Sequence, residues 1–179
     1  MPPLSDDQQL SALFEQANSP AWSVRAAAGR QLAAAPRTDQ GTDVLLRLLL
    51  DPDDTAVTRE TAQALLERGD TSALRQVLLA LARAASEVTM DWLAGTVHDH
   101  YARARAAGEE EGRLIRQLHE LVSDPDMGVR QEAITMIADL SPDQTWLGLP
   151  SAPPHLVDHD NRWSQSKAEA GAASNRNSR

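Results

Sequence analysis

The chain contains no cysteine, which rules out disulfides and thiolate metal sites and removes any need for an oxidising compartment. Lysine is nearly missing too, since Lys167 is the single lysine among 17 basic residues. With abundant alanine, that usage is what a GC-rich genome encourages, and it bears on the host rather than on function. Long apolar runs are absent: the longest lie around 45–50 and 77–82, Arg47 interrupts the first, and both fall far short of the roughly 20 residues that span a bilayer. No strand-like alternation persists. No Ser-His-Asp grouping, glycine-rich phosphate loop or nucleophile elbow is visible. Residues 1–7, Met-Pro-Pro-Leu-Ser-Asp-Asp, lack the basic-then-apolar order of a signal peptide. A soluble cytoplasmic protein is expected.

Positive charge is also in deficit. The formal net charge is −9, and residues 1–150 carry 13 arginines against 23 acidic residues, a balance of −10. Nucleic-acid binders usually present a basic stripe that releases phosphate counterions, so this balance argues against DNA or RNA as ligand. It favours solubility and a partner with a basic surface.

What the chain does contain is a turn that recurs. Ser19-Pro20 leads to Val24-Arg25 with Ala28, Asp51-Pro52 to Val57 with Ala62, and Asp124-Pro125 to Val129-Arg130 with Ala133. Counted from the valine, each copy places small residues four or five positions on (Ala28, Thr61 and Ala62, Ala133) and a branched apolar residue eight positions on (Leu32, Leu65, Ile137). Those offsets share one helical face, so the valines are expected to point into a core. A fourth, divergent copy runs from Val88-Thr89, where Trp92 and Leu93 take the small-residue offsets. Repetition at such spacing predicts stacked helix pairs.

The expected helices follow from caps and punctuation. A capping box at Ser5-x-x-Gln8 starts the first, which pairs with 23–35; then come 43–50 with 56–68, 72–85 with 88–106, and 113–122 with 129–140. Gly69 suits the left-handed helix end and Asp70 or Thr71 the next cap. Gly108 to Gly112 brackets three glutamates at the break before the last pair. Ser141-Pro142-Asp143-Gln144 forms a second capping box, after which Trp146 and Leu147 are expected to close the last core. The expected division is a helical domain over 1–149 and a tail over 150–179 too poor in large apolar groups to order itself.

Asp124-Pro125-Asp126-Met127-Gly128-Val129-Arg130-Gln131-Glu132-Ala133 resembles the intra-repeat turn and second-helix start of a HEAT repeat, and the turns at Asp51 and Val24 resemble it in part. The middle copies depart from it, with Thr58 and Thr89 where that family has arginine after valine. The resemblance covers about residues 5–145 and implies an all-α, right-handed α-solenoid of about four HEAT-like helix pairs. HEAT-like solenoids in bacteria serve as protein-binding scaffolds, bilin lyase-like modules and DNA glycosylases, so the fold alone does not choose among them.

Few residues invite chemistry. His98 and His100 lie two apart and point to different sides of a helix, which keeps them from gripping one ion. His119 is solitary. His155 and His159 have the spacing of a helical metal pair, but Pro153-Pro154 precedes them. Trp22, Trp92 and Trp146 are each expected to pack. No catalytic residue, metal site or cofactor is therefore expected.

What remains is a surface. If the valine and its +4, +5 and +8 positions face the core, the +2, +3, +6 and +10 positions of each second helix form a row on the inner, concave wall expected of such a solenoid. That row holds Arg30; then Arg59, Glu60, Gln63 and Glu67; then Met90, Asp91, Ala94 and His98; and finally Gln131, Glu132, Thr135 and Asp139. It is polar and mostly acidic, and its expected binding residues are Arg59, Glu60, Gln63, Glu67, Asp91, His98, Glu132 and Asp139. The expected function is a non-enzymatic scaffold or adaptor that binds a basic protein there, with an immunity or antitoxin-like protein as its sharper form. The alternative is a HEAT-like enzyme or enzyme accessory, of the bilin lyase-like or nucleic-acid-repair kind.

Overall fold

The structure is a computed structural model that describes residues 6–108 and 112–140. The Ser5 and Ser141 capping boxes, the three glutamates at 109–111, Trp146 and the histidines of the tail lie outside them. Eight helices make up the described residues, with no strand: α1 (Asp6–Gln16), α2 (Trp22–Ala34), α3 (Asp39–Leu49), α4 (Thr55–Arg68), α5 (Thr71–Arg83), α6 (Glu87–Ala106), α7 (Arg113–Leu121) and α8 (Met127–Leu140). The chain is all-α over these residues.

Local chemistry sets most boundaries. Thr38, Asp54 and Asp70 each accept a backbone amide of the helix that follows, from Gly41, Ala56 and Ala73 respectively. The Thr38 cap is why α3 begins at Asp39, four residues before the expected start. Gly69 ends α4 at φ 70°, the left-handed conformation that a side chain disfavours.

The helices settle into two rows. α2, α4 and α6 pack side by side, and α3, α5 and α7 pack likewise behind them. The run Val77–Ala82 falls on α5, whose neighbours include α3, α4, α6, α7 and α8, and Val77, Leu78 and Ala80 are wholly buried there. A helix covered on nearly all sides needs apolar residues all round. Gln76 is buried with them and donates to the Thr42 carbonyl at 2.7 Å, which removes the penalty for an orphan amide.

Helix α8 breaks the alternation by lying against α5 and α7. Its turn is tied to α5 by Arg75, which donates to both Asp124 oxygens at 2.7 and 2.9 Å. The turn between α3 and α4 uses the same geometry: Arg25 of α2 donates to both Asp51 oxygens at 2.7 and 2.9 Å. In both turns the aspartate also gathers its own loop, Asp51 accepting the amides of Asp53 and Asp54 and Asp124 that of Asp126. Arg25 and Arg130 each donate to the two carbonyls six and five residues before them, at Ser19 and Pro20 and at Asp124 and Pro125. The arginines of the two Val-Arg dipeptides thus brace their own turns, and an arginine from a preceding helix, Arg25 or Arg75, clamps each Asp-Pro aspartate.

The inward-facing valines need correction. Val57 and Val129 are fully buried, but Val24 is 37% and Val88 55% exposed. α2 and α6 are the two ends of the α2–α4–α6 row, each with a row neighbour on one side only. The central α4 is covered from both sides, and it closes on α2 where a Cβ added to Gly29 would meet Thr61 Oγ1 at 2.2 Å. Thr58 and Thr61 are completely buried there, and their hydroxyls have no hydrogen-bond partner among the described residues.

Candidate functional site

A groove of about 820 Å³ opens between α4 and α6. α4 contributes Arg59 and Gln63, one turn apart; α6 contributes Asp91, Trp92, Gly95, Thr96, Asp99, Ala102, Arg103 and Ala106, a strip three to four residues wide in its repeat. Gly95 lowers the α6 wall, since a Cβ there would meet nothing within 4 Å. Trp92 stands over the groove 41% exposed, with the Arg59 guanidinium 5.8 Å from its ring centroid. That distance is within reach of a cation–π attraction. Thr96 donates to the Trp92 carbonyl at 2.7 Å and Arg103 to that of Asp99 at 3.2 Å, so both side chains lie along their own helix.

A second hollow of about 260 Å³ continues the surface across α4 toward α2, lined by Arg30, Arg59, Glu60, Gln63, Ala64 and Glu67. Arg30 bridges to Glu60, and Gln63 donates to Glu67 at 2.8 Å. Arg59 and Gln63 line both hollows.

Five of the eight expected binding residues therefore meet on one surface: Arg59, Glu60, Gln63, Glu67 and Asp91. His98 is half-buried on α6 and lines neither hollow. Glu132 and Asp139 stand on α8, against α5 and α7, and line neither hollow either. Burial pushes the Glu132 carboxyl above its ordinary range, while Asp139 is exposed. The surface is of mixed charge rather than acidic, because Arg30 neutralises Glu60 and Arg59 and Arg103 stand among Asp91, Asp99 and Glu67.

Gly95, Asp99 and Arg103 belong to the groove and lie outside the surface offsets, and Trp92 enters it from an offset expected to face inward. Trp92 and Trp22 are also corrections, since both are expected to pack and stand 41% and 47% exposed. At the matching position of α4, Thr61 fits because α2 offers Gly29, whereas Trp92 lies in the groove with Arg59 over its ring. A glycine inside α6, costing about 1 kcal/mol relative to alanine, is the sequence signal that could have drawn attention to this strip.

Among the described residues no group of three or more histidine, aspartate or glutamate side chains is placed to hold a metal ion, and no helix is long and apolar enough to cross a membrane. No protein-family model, curated protein or solved structure matches the chain.

Proposed function

We propose that the chain is a non-enzymatic protein-binding module, a HEAT-like helical-repeat solenoid that holds its partner along the α4–α6 groove. The observation that carries this reading is the exposed indole of Trp92 beneath Arg59 in an open groove with an apolar floor of alanine and glycine. Tryptophan and arginine are the side chains most enriched among residues that dominate interface energies, because each offers a large rigid face with a polar handle. The two side-by-side helix rows and the repeated Asp-Pro clamp support the solenoid. The net charge of −9 favours a partner with basic residues around an apolar anchor.

The test is a pulldown from host lysate with the full chain, run beside Trp92→Ala and Asp91→Lys with Glu67→Lys. A partner retained by the native chain should be lost with Trp92→Ala and become harder to hold as salt rises. The charge-reversed variant should hold it more weakly. Unchanged capture by all three proteins, each checked for native helicity by circular dichroism, would remove the groove from consideration.

A further inference from the structure

A different concavity lies on the far side of α6. It is a cleft of about 390 Å³ walled by the α4–α5 turn, the second half of α6 and the start of α7. Its floor is apolar, with Leu66, Leu74 and Leu114 all buried. Polar groups gather at its mouth: Tyr101, Arg105, Arg113 and Gln117. The backbone around them is fixed, because Gln117 donates to the Gly69 carbonyl at 2.8 Å and Gly69 holds φ 70°. Gly69 also keeps the space clear, since a Cβ at that position would come within 3.1 Å of Arg113 Nη2.

Two arginines, Arg105 and Arg113, share the wall of this cleft with one acidic residue. Asp70 is its acidic wall residue, and Asp70 is already engaged by Arg68 at 2.7 Å and by the Ala73 amide at 2.8 Å. Arg113 makes no ion pair among the described residues. The first turn of α7, on which Arg113 stands, carries no acidic residue to offset the positive end of the helix. Arg113 also lines a smaller adjoining hollow of about 300 Å³ with Arg103, His100 and Glu67. A pocket of this size, with an apolar floor and a cationic mouth, fits the general pattern of a small-molecule site.

We infer that this cleft binds an organic anion with an apolar body, the anionic head on Arg113 and the body on the leucine floor. A carboxylate or phosphate head satisfies the same guanidinium donors, and a charge-assisted hydrogen bond supplies the anchor. The site is separate from the α4–α6 groove, and α6 stands between them, so its failure would leave the protein-binding reading untouched.

The test titrates the full chain, labelled for amide NMR, with octanoate, octyl phosphate, uncharged octanol and inorganic phosphate. Saturable shifts at Gly69, Tyr101 and Gln117 are expected with octanoate or octyl phosphate, and the stronger of the two identifies the head group. Octanol and inorganic phosphate should bind at least about tenfold more weakly, because each lacks one half of the recognition. Arg113→Met should weaken the preferred anion by about tenfold or more, while Arg83→Met, which removes the same charge elsewhere on the surface, should leave it unchanged. Absence of saturable shifts with either amphipathic anion would overturn the inference, as would octanol binding as well as octanoate, or equal binding by native protein and Arg113→Met. Because Arg113 is exposed, both variants should keep the native melting curve, and Gln117→Leu provides a second probe of the same wall, expected to weaken binding less.

Discussion

Arg25 and Asp51 form the most enclosed charged pair among the described residues, with side chains 9% and 6% exposed. Neither charge is left short of partners, since Arg25 also holds the Ser19 and Pro20 carbonyls and Asp51 the amides of Asp53 and Asp54. Removing one member would strand the other in a dry site, which typically costs about 3–5 kcal/mol. Arg25→Met is therefore expected to lower unfolding free energy by roughly 3 kcal/mol in urea titration. The exposed Arg30–Glu60 pair is the internal control, because Arg30→Ala should cost less than about 1 kcal/mol. A loss of similar size in both variants would show that the clamp contributes no more than a surface bridge. Thr58 argues in the opposite direction. Its hydroxyl is fully buried with no partner among the described residues, so Thr58→Val keeps the shape and removes the penalty. It should stabilise the fold by about 1 kcal/mol, and a lower melting temperature for this variant would mean that the hydroxyl has a partner in solution.

At the level of helices, caps explain why so much was legible beforehand. Asp70 before α5 and Gly69 after α4 each leave a chemical mark in the sequence, and a helix boundary depends on neighbours within a few residues. Where a helix lies depends on distant residues instead. α8 carries the clearest copy of the repeated turn, yet it packs on α5 and α7, an arrangement set by Arg75 reaching Asp124 across 49 positions of chain. No count of offsets from Val129 contains that contact, and so Glu132 and Asp139 were grouped with a surface they do not share. The same limit hid the groove's tryptophan. The offset of Trp92 equals that of Thr61, and only the neighbour decides which is buried. Gly69 gives the test at this scale. Gly69→Ala forces a side chain into the left-handed region and toward Arg113, which should cost about 1–2 kcal/mol. Gly95→Ala, in open space on a helix with ordinary geometry, should stabilise by about 0.5–1 kcal/mol. Melting shifts of opposite sign are expected, since the two glycines serve two purposes; two losses would place Gly95 in a contact not visible between α4 and α6.

For the molecule as a whole, the buried aspartates make stability a function of pH. Burial pushes the Asp51 carboxyl up, but the Arg25 hydrogen bonds and the amides of Asp54 and Asp53 together outweigh it and hold the group below the usual range. Burial likewise opposes Arg68 and the Ala73 amide at Asp70, and the partners again prevail. At Asp124 the Arg75 hydrogen bonds are the largest influence, working against burial and alongside the Asp126 amide. A carboxyl depressed on folding stabilises the native state above its unfolded pKa of about 3.9 and loses that contribution as pH falls through the folded value. Glu132 has the reverse sign: raised by burial alone, it favours the fold at low pH and gives up that contribution as pH rises through its folded value. Three depressed groups against one raised group set the direction. Unfolding free energy from urea titrations should hold steady from neutral pH down to about pH 5 and then fall, with the unfolded chain taking up protons. Asp51→Asn with Asp124→Asn should begin less stable at neutral pH and lose less on acidification, so that the two curves converge near pH 3. Glu132→Gln should leave that acid limb in place and raise stability slightly on the alkaline side of the Glu132 titration, where the native carboxylate is charged and half-buried. If the double variant kept the full acid slope, the two Asp-Pro clamps would not be its source, and the weight would shift to Asp70 and the α4–α5 turn.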